Sequence, residues 1–235
     1  MSFPQLADNI WYFECPVRFW GLRFQTRMTL VRLCNGGFFV HSPVALTDEV
    51  RMNLRILEYN NGPLHIICPN ALHHIFAEPY LLEYPDSRLY VSPALPRRRA
   101  DLKFDEILND SPPDAWSHDL DQYIIRGNDY LQEVVFLHRS SRTLIVTDFI
   151  EHFTENSPGL GLATRLFARL FRMWGRPAPS PEFRLYSNPD QLRESIELLL
   201  SLDFNRIVMA HGDIIEASIH GTARELIREA YAHLW

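Results

Sequence analysis

The sequence predicts an α/β protein built from layers of strands and helices. Its 235 residues are 46% hydrophobic and 22% charged, which is the composition of a globular protein with a sizeable core. A strand, a helix and a second strand follow one another between residues 38 and 68, and strands and amphipathic helices alternate further along the chain. Because domains commonly reach about 250 residues, we expect a single domain over residues 1–235.

Short strands are predicted in the first forty residues. Residues 9–13 and 28–33 are rich in aromatic and β-branched side chains, which favour extended backbone. Asn35-Gly36-Gly37 predicts a hairpin turn, since asparagine and glycine tolerate positive φ. Residues 38–41 then form the returning strand.

A helix and two strands are predicted next. Thr47 is a suitable N-cap for a helix of about three turns, and Gly62 marks the stop. The apolar residues 64–68 predict a buried strand, and residues 88–92 predict another. Residues 93–114 contain several prolines and an arginine run, so we expect an irregular surface segment there.

The second half of the chain contains the clearest helix signals. Residues 133–137 and 143–147 predict an antiparallel hairpin. Asn188, followed by proline, predicts the start of a helix that runs to about residue 202. A short strand over residues 207–209 and a final amphipathic helix over residues 222–234 complete the pattern.

Residues 160–174 predict an amphipathic helix with an apolar and a cationic face. Large apolar residues recur at helical spacing on one face, and arginines recur on the other. The apolar set is Leu166, Phe167, Leu170, Phe171 and Trp174, and the cationic set is Arg165, Arg169, Arg172 and Arg176. We expect the arginines to form the solvated side of a surface helix; contact with a membrane surface or an acidic partner is the alternative.

Charge and cysteine content limit the partners and the location. The formal net charge of −6 argues against nucleic acid as a partner, because nucleic-acid binders concentrate basic residues. Three scattered cysteines form no disulfide framework, which favours a reducing compartment. Residues 1–9 lack the features of a signal peptide, and no apolar run is long enough for a membrane span. A cytoplasmic protein without a membrane span is expected.

Several common catalytic motifs are missing from the sequence. No glycine-rich lysine loop, no G-x-G-x-x-G and no G-x-S-x-G is found. Polar side chains instead follow apolar strands, at His41, at His73-His74, at Asp148 and at His211. Strand ends meet at one edge of a layered α/β sheet, so imidazoles and a carboxylate gathered there predict a metal site.

These residues resemble the metallo-β-lactamase superfamily, whose fold is an αββα sandwich. The shared order is a histidine-rich loop after an early strand, an aspartate that ends a strand after a hairpin, and a late strand that ends in Ala-His-Gly. The likeness covers most of the chain and is closest to an uncharacterised branch, a domain of unknown function. The phrases that carry it are residues 41–43, 69–74, 84–85, 136–139 and 144–148.

The resemblance implies that only one of the superfamily's two metal sites is retained. Pro69 and Ala71 fall where the first metal would take two histidines, and no histidine stands near Gly127 for the third. The second site keeps metal-capable side chains at all four positions: His73, His74, Asp148 and His211. We therefore expect one divalent metal held by His74, Asp148 and His211, with His73 as a fourth ligand or a hydrogen-bonding neighbour.

The implied activity is metal-dependent hydrolysis. Zinc is the first choice of metal, and iron or manganese would suit a five- or six-coordinate site. Asp148 would orient the attacking water and His41, or less favourably His138, would move protons. The small-molecule substrate would be an ester, thioester, lactone, amide or phosphodiester, and Arg97 to Arg99 would favour an acidic one if they lay at the entrance.

The alternative is a catalytically silent protein of the same fold. The loss of the first metal site favours a binding or scaffold module without metal. Aromatic residues make up 12% of the chain and would then line an apolar ligand pocket.

Overall fold

The protein is an αββα sandwich, in which two β-sheets pack face to face and helices cover their outer sides. The computed structural model describes residues 3–57, 62–217 and 221–235. In these residues the first sheet contains, in spatial order, β1 (Gln5–Ala7), β2 (Ile10–Phe19), β3 (Leu22–Arg32), β4 (Phe38–His41), β5 (Leu64–Cys68), β6 (Arg88–Val91) and β7 (Glu106–Ile107). The predicted layered α/β class is confirmed.

The second sheet and the helices complete the layers. The strands of the second sheet are β8 (Leu120–Ile124), β9 (Val134–His138), β10 (Thr143–Ile145), β11 (Arg206–Val208) and β12 (Ile215–Glu216), and they lie in the reverse of chain order. The helices are α1 (Asp48–Ile56), α2 (Ala77–Glu83), α3 (Leu95–Arg98), α4 (Leu162–Leu170), α5 (Pro181–Tyr186), α6 (Pro189–Ser201) and α7 (Ala223–Ala230), followed by a 3₁₀ turn over Ala232–Leu234. No helix of the described residues has the length and apolar character needed to cross a bilayer.

Three apolar layers hold the sandwich together. The middle layer lies between the sheets and joins residues such as Phe39 and Ile67 of the first sheet to Phe136 and Ile145 of the second. One outer layer packs α1 and α2 on the first sheet, and the other packs α6 and α7 on the second. A strand that lies between a helix layer and the other sheet buries both of its faces. This explains the nearly continuous apolar runs of β5 and β9.

Strand direction brings several strand ends to one edge of the sandwich. β4, β5 and β6 run parallel, and β10 runs parallel to β11. Backbone hydrogen bonds link the segment after β5 to the second sheet: Val134 donates to the Pro69 carbonyl oxygen at 2.8 Å. The loops that follow β5, β10 and β11 therefore meet, and they contain the histidines and the aspartate selected from the sequence.

Most predicted elements are present, and their caps explain why. Thr47 accepts a hydrogen bond from the Val50 amide at the start of α1, and Asn188 caps α6 in the same way. Thr222 and Glu225 form a reciprocal capping box at the start of α7. The predicted strand over residues 64–68 coincides with β5.

β2 and β3 are longer than the predicted strands, and the hairpin that they form with each other was not predicted. β2 and β3 pair over their whole length, and Trp20 and Gly21 form the two-residue turn with φ values of 48° and 80°. Both positive φ angles suit the right-handed twist of a hairpin. Tryptophan at such a position is uncommon, so the turn gave no signal in the sequence. The segment predicted as irregular also contains α3 and β7, and β8 was not predicted.

The apolar face predicted for α4 is turned inward only in part: Phe167, Phe171 and Trp174 are partly buried against the core. Leu166 and Leu170 lie on the outward face of this helix, and the buried side chains are Thr164 and Ala168. The Thr164 hydroxyl donates to the Arg23 carbonyl oxygen at 2.7 Å and accepts from the Arg23 amide at 3.0 Å. Small side chains allow this close contact with β3, which the large leucines would prevent.

Gly212, which directly follows His211, tests how closely the loops at this edge of the sandwich approach one another. Gly212 has a φ of +81°, and a Cβ there would lie 2.0 Å from the His152 carbonyl oxygen. We expect Gly212→Ala to lower the free energy of unfolding by about 3 kcal/mol or more, because it adds a backbone clash to the left-handed strain. Urea denaturation measures this change.

Gly175→Ala is the matched control. Its φ is +74° and a Cβ added there would meet no atom within 4 Å, so only the backbone strain of about 1 kcal/mol is expected. Equal losses in the two variants would contradict a close contact at Gly212.

Candidate metal centre

Three loops from two sheets bring two histidines and an aspartate together. His73 follows β5, Asp148 follows β10 and His211 follows β11. One ligand atom from each lies within 4.8 Å of the other two. His73 Nε2 is 3.4 Å from Asp148 Oδ2, and His211 Nε2 is 3.6 Å from Asp148 Oδ1. The three side chains thus converge on one point.

Asn70 fixes Asp148 and the loop after β5 relative to each other. Its Nδ2 lies 2.7 Å from Asp148 Oδ2 and 2.9 Å from Thr147 Oγ1. Its Oδ1 accepts hydrogen bonds from the backbone amides of Leu72 and His73, at 2.8 and 3.0 Å. One buried amide side chain therefore fixes both a carboxylate and the backbone of the neighbouring histidine.

Glu133 organises the turn that contains the aspartate. This buried carboxylate accepts hydrogen bonds from the backbone amides of Thr147, Asp148 and Phe149, at 2.7, 2.9 and 3.1 Å. Burial and the charge of Asp148 raise the pKa of Glu133, whereas the hydrogen bonds from Thr147 and Asn70 lower it. The donors compensate for the loss of water around the carboxylate.

The far nitrogen of each histidine ring is held by a hydrogen bond. His73 Nδ1 lies 2.7 Å from Ser42 Oγ, and His211 Nδ1 lies 3.0 Å from the Gln25 carbonyl oxygen. Because a carbonyl oxygen can only accept, His211 carries its proton on Nδ1 and presents the Nε2 lone pair to Asp148. Metal-binding histidines are typically oriented by such a hydrogen bond, so the residues fit a bound cation.

The charges of the three groups depend on one another. Burial raises the pKa of Asp148, but the charge and hydrogen bond of His73, together with His211, lower it to about 2. Burial lowers the pKa of His73, and the Asp148 carboxylate more than reverses this effect. Burial lowers the pKa of His211 to about 4, so this ring is neutral near pH 7.

An arginine from the first sheet positions the loop that contains His211. Arg27 is buried, and its guanidinium donates to the carbonyl oxygens of Met209 and Gly212 at 2.5 and 2.6 Å. Its backbone amide donates to the Ala210 carbonyl oxygen, and Glu14 pairs with the guanidinium. Contacts on both sides of His211 hold this ligand against β3.

The structure places His74 outside the three-residue group. Burial and the nearby charges of Arg99, His73 and Arg98 lower the pKa of His74, and its buried Nδ1 has no hydrogen-bond partner. We expected His74 as a ligand and His73 as a fourth ligand or a hydrogen-bonding neighbour, whereas it is the ring of His73 that lies against Asp148. The hydrogen bond from the His73 amide to Asn70 sets this orientation.

His41 lies between the two sheets and not in the cluster. Its ring stacks on Phe39 and meets Phe136 edge to face, and its buried Nε2 has no hydrogen-bond partner. Burial, with a smaller contribution from the charge of His73, lowers the pKa of His41 to about 3. A ring that stays neutral and has no polar contact at Nε2 is poorly suited to the proton-transfer role expected from the sequence.

His138 lies at the opposite end of β9 and β10 from Asp148, and its Nδ1 is hydrogen-bonded to Ser141 Oγ. It is therefore not part of the cluster.

The cluster opens into a largely apolar cavity of about 270 Å³. Aromatic and aliphatic side chains form most of its lining, among them Phe24 of the β2–β3 hairpin, Phe167 of α4 and Phe153. Glu151 and Glu182 also line it. Burial and the charge of Asp148 raise the pKa of both, and the pKa of Glu151 lies well above its ordinary value.

The arginine run borders this lining but is not part of it. Arg97, Arg98 and Arg99 are absent from the residues that line the cavity in the described chain. Arg99 pairs with Glu78 and Asp101, and the Arg98 guanidinium lies 4.0 Å from the centre of the Tyr130 ring. Because Tyr130 lines the cavity, Arg98 stands directly behind the lining, and the expectation that these residues favour an acidic substrate stays a prediction.

Sequence reasoning missed Asn70, Glu133 and Glu151. Asn70 directly follows the buried strand β5 and its proline, and Glu133 directly precedes the apolar strand β9. Polar residues at such strand boundaries were a usable signal. Glu151 gave none, because its burial depends on α5 and on the irregular segment around Ala178, with which it forms a backbone bridge.

The buried, neutral His41 predicts acid sensitivity. The unfolded chain takes up a proton below the ordinary pKa of 6.5, whereas the folded protein does so only near 3. The contribution of the neutral His41 ring to the free energy of unfolding is therefore fully present above pH 6.5 and falls as the pH drops, by about 2 kcal/mol at pH 5. We expect His41→Gln to flatten this pH dependence in urea denaturation. Equal slopes in the wild type and in His41→Gln would contradict the prediction.

The whole fold is similar to metallo-β-lactamases of known structure. A metallo-β-lactamase from Pontibacter korlensis has a TM-score of 0.65 at 11% identity, covering 99% of this chain and 98% of its own. One from Hirschia baltica has a TM-score of 0.61 at 13% identity, with coverages of 99% and 96%. FIM-1 from Pseudomonas aeruginosa, in its mono-zinc form, has a TM-score of 0.63 at 12% identity, with coverages of 99% and 93%. Identities this low show the fold alone.

The family follows from the sequence itself. No curated protein matches it at a significant level. The model of DUF4336, a domain of unknown function, matches residues 7–181, which include His73 and Asp148 but end before His211. The αββα architecture confirms the expected superfamily fold, and the match covers most of the chain. The chain therefore belongs to the DUF4336 family and has the metallo-β-lactamase fold.

Proposed function

We propose that this protein is a hydrolase that uses one divalent metal held by His73, Asp148 and His211. The observation that supports this function is their convergence at the cavity, with the far nitrogen of each histidine ring held by a hydrogen bond. Zinc is the first choice for two imidazoles and a carboxylate, with iron and manganese as alternatives. The related fold of known metalloenzymes is consistent with this choice.

The number of ligands favours a reactive site over a structural one. Four protein ligands would close a tetrahedral zinc site, whereas three leave one position for water or substrate. His74 stands outside the group, which supports the three-ligand arrangement. When bound, a divalent ion there would lower the pKa of a water molecule and polarise a carbonyl oxygen.

The residues around the cluster can direct and complete the reaction. The Asp148 carboxylate accepts hydrogen bonds and would orient the attacking water. Glu151 lines the cavity, its pKa is raised well above the ordinary value, and in its protonated form it would donate a proton to the leaving oxygen or nitrogen. The apolar lining excludes bulk water, which strengthens both interactions.

The lining of the cavity indicates the class of substrate. Glu151 and Glu182 are acidic, and no arginine or lysine is among the lining residues of the described chain. An anionic group such as a phosphodiester would lack a counter-charge apart from the metal. We infer that the substrate is an uncharged or cationic ester, thioester, lactone or amide with an apolar portion.

A second candidate is a binding module without metal. The observation that favours it is the ion pair between His73 and Asp148, which neutralises the buried carboxylate without a cation. Metal analysis separates the two candidates.

We expect the purified wild-type protein to contain about one zinc per chain after expression with added zinc. Removing a ligand leaves two donors, so His73→Ala and His211→Ala should lose the metal. Inductively coupled plasma mass spectrometry measures the content. His74→Ala is the matched control, since its neighbour His73 faces the site, and should keep the metal. No metal in the wild type supports the binding module, and metal loss in His74→Ala contradicts the ligand assignment.

Glu151→Gln should reduce kcat by about 100-fold on an alkyl ester, because the glutamine amide cannot supply the proton that the alkoxide needs. The loss should be much smaller on a p-nitrophenyl ester, whose leaving group departs without protonation. Steady-state hydrolysis of both esters measures this difference.

Glu182→Gln is the control at the other acidic residue of the cavity. We expect it to affect both esters equally and only slightly, with metal content unchanged. Equal losses on the two esters in Glu151→Gln would argue against a proton-donating role.

A further inference from the structure

The outward face of α4 exposes a row of large aliphatic side chains. Leu162, Leu166 and Leu170 are 83%, 69% and 74% exposed. They are spaced by four residues, so they lie one above another on the helix. Single exposed leucines are common, but a continuous row of three on one face marks an interaction surface.

Arginines accompany this row of leucines. Arg165, Arg169 and Arg172 occupy α4 and the turn after it, and Arg176 follows. Residues 156–181 contain these four arginines and no aspartate or glutamate, in a chain whose net charge is −6. None of the four forms an ion pair with a carboxylate within the described ranges, so their charges are available to an anionic partner.

The tip of the β2–β3 hairpin extends the same surface. Trp20 is 76% exposed, and the cross-strand pair Arg18 and Arg23 flanks it. Thr164 of α4 is hydrogen-bonded to the backbone of Arg23, and the Gly161 amide donates to the Arg23 carbonyl oxygen at 3.0 Å. The first turn of α4 and the hairpin tip are therefore fixed to each other.

We propose that this surface, formed by α4 and the hairpin tip, docks on an anionic lipid bilayer. The leucines and Trp20 enter the interfacial layer, and the arginines contact lipid phosphates. A helix with leucines and arginines side by side, next to an exposed tryptophan, has the composition of an interfacial anchor. Each arginine near such a surface strengthens binding by attraction to the negative lipids.

Other occupants fit this surface less well. Two copies related by a twofold axis would bring the arginines of one close to those of the other, which is repulsive. An acidic protein segment would pair with the arginines but would not require the exposed leucines and tryptophan. A bilayer offers anionic groups and an apolar layer together.

Docking would also bring the cavity close to the apolar layer of the bilayer. Trp20, together with Phe167 and Phe171 on the inner side of α4, lines the cavity. A substrate with an apolar chain would then have a short path from lipid to the cluster. The docking itself does not depend on the proposed hydrolase activity or on a bound metal.

Vesicle co-sedimentation of the full chain tests the proposal. We expect the wild type to bind vesicles of phosphatidylcholine mixed with phosphatidylglycerol and to bind pure phosphatidylcholine far more weakly. Arg165→Gln with Arg169→Gln should weaken binding to the mixed vesicles by about 30-fold. Leu166→Ser with Leu170→Ser should weaken it by about tenfold or more, through lost apolar insertion.

Leu82→Ser is the matched control. Leu82 is an 85% exposed leucine of α2, a helix outside this surface, and its loss should leave vesicle binding unchanged. Circular dichroism melting checks that each variant is folded. If the double variant Arg165→Gln with Arg169→Gln is not folded, the single variant Arg165→Gln is used in its place.

Three results would overturn the proposal. The first is that the wild-type protein binds neither type of vesicle. The second is that the arginine and leucine variants bind the mixed vesicles as strongly as the wild type does. The third is that sedimentation velocity shows a dimer that only the leucine variant abolishes. The last result would instead assign this face to contact between copies of the chain.

Discussion

The burial of one carboxylate, Asp148, constrains the architecture around the site. A charged group removed from water is costly unless donors and opposite charges surround it. Asn70 and His73 come from the loop after β5, and His211 comes from the loop after β11. Because each partner belongs to a different strand end, satisfying this carboxylate requires both sheets to meet at the same edge.

Further contacts around Asp148 hold the loops of the cluster in place. Glu133 gathers three consecutive backbone amides, and Arg27 crosses from the first sheet to hold both sides of His211. Gly212 allows the backbone to approach His152 at a distance that no side chain permits.

The local signals in the sequence predicted much of the fold. Caps such as Thr47, Asn188 and Thr222, and the apolar run of β5, depend on neighbouring residues, so they were visible without the structure. The Trp20-Gly21 turn and the inward face of α4 were not, because tertiary contacts with Arg23 outweigh the usual preference for burying leucine. In the site, His73, Asp148 and His211 were selected from their positions after strands, whereas Glu151 became visible only through packing.

By itself, the sequence determined the fold class and the candidate side chains: an α/β protein with imidazoles and a carboxylate placed just after apolar strands. It did so because strand periodicity and capping are short-range properties of the chain. Only the tertiary structure decided which of two adjacent histidines faces Asp148, that His41 is buried between the sheets, and that Arg98 stands behind Tyr130 and not in the cavity lining. These outcomes depend on distances of a few ångströms between residues far apart in sequence, which no local pattern encodes.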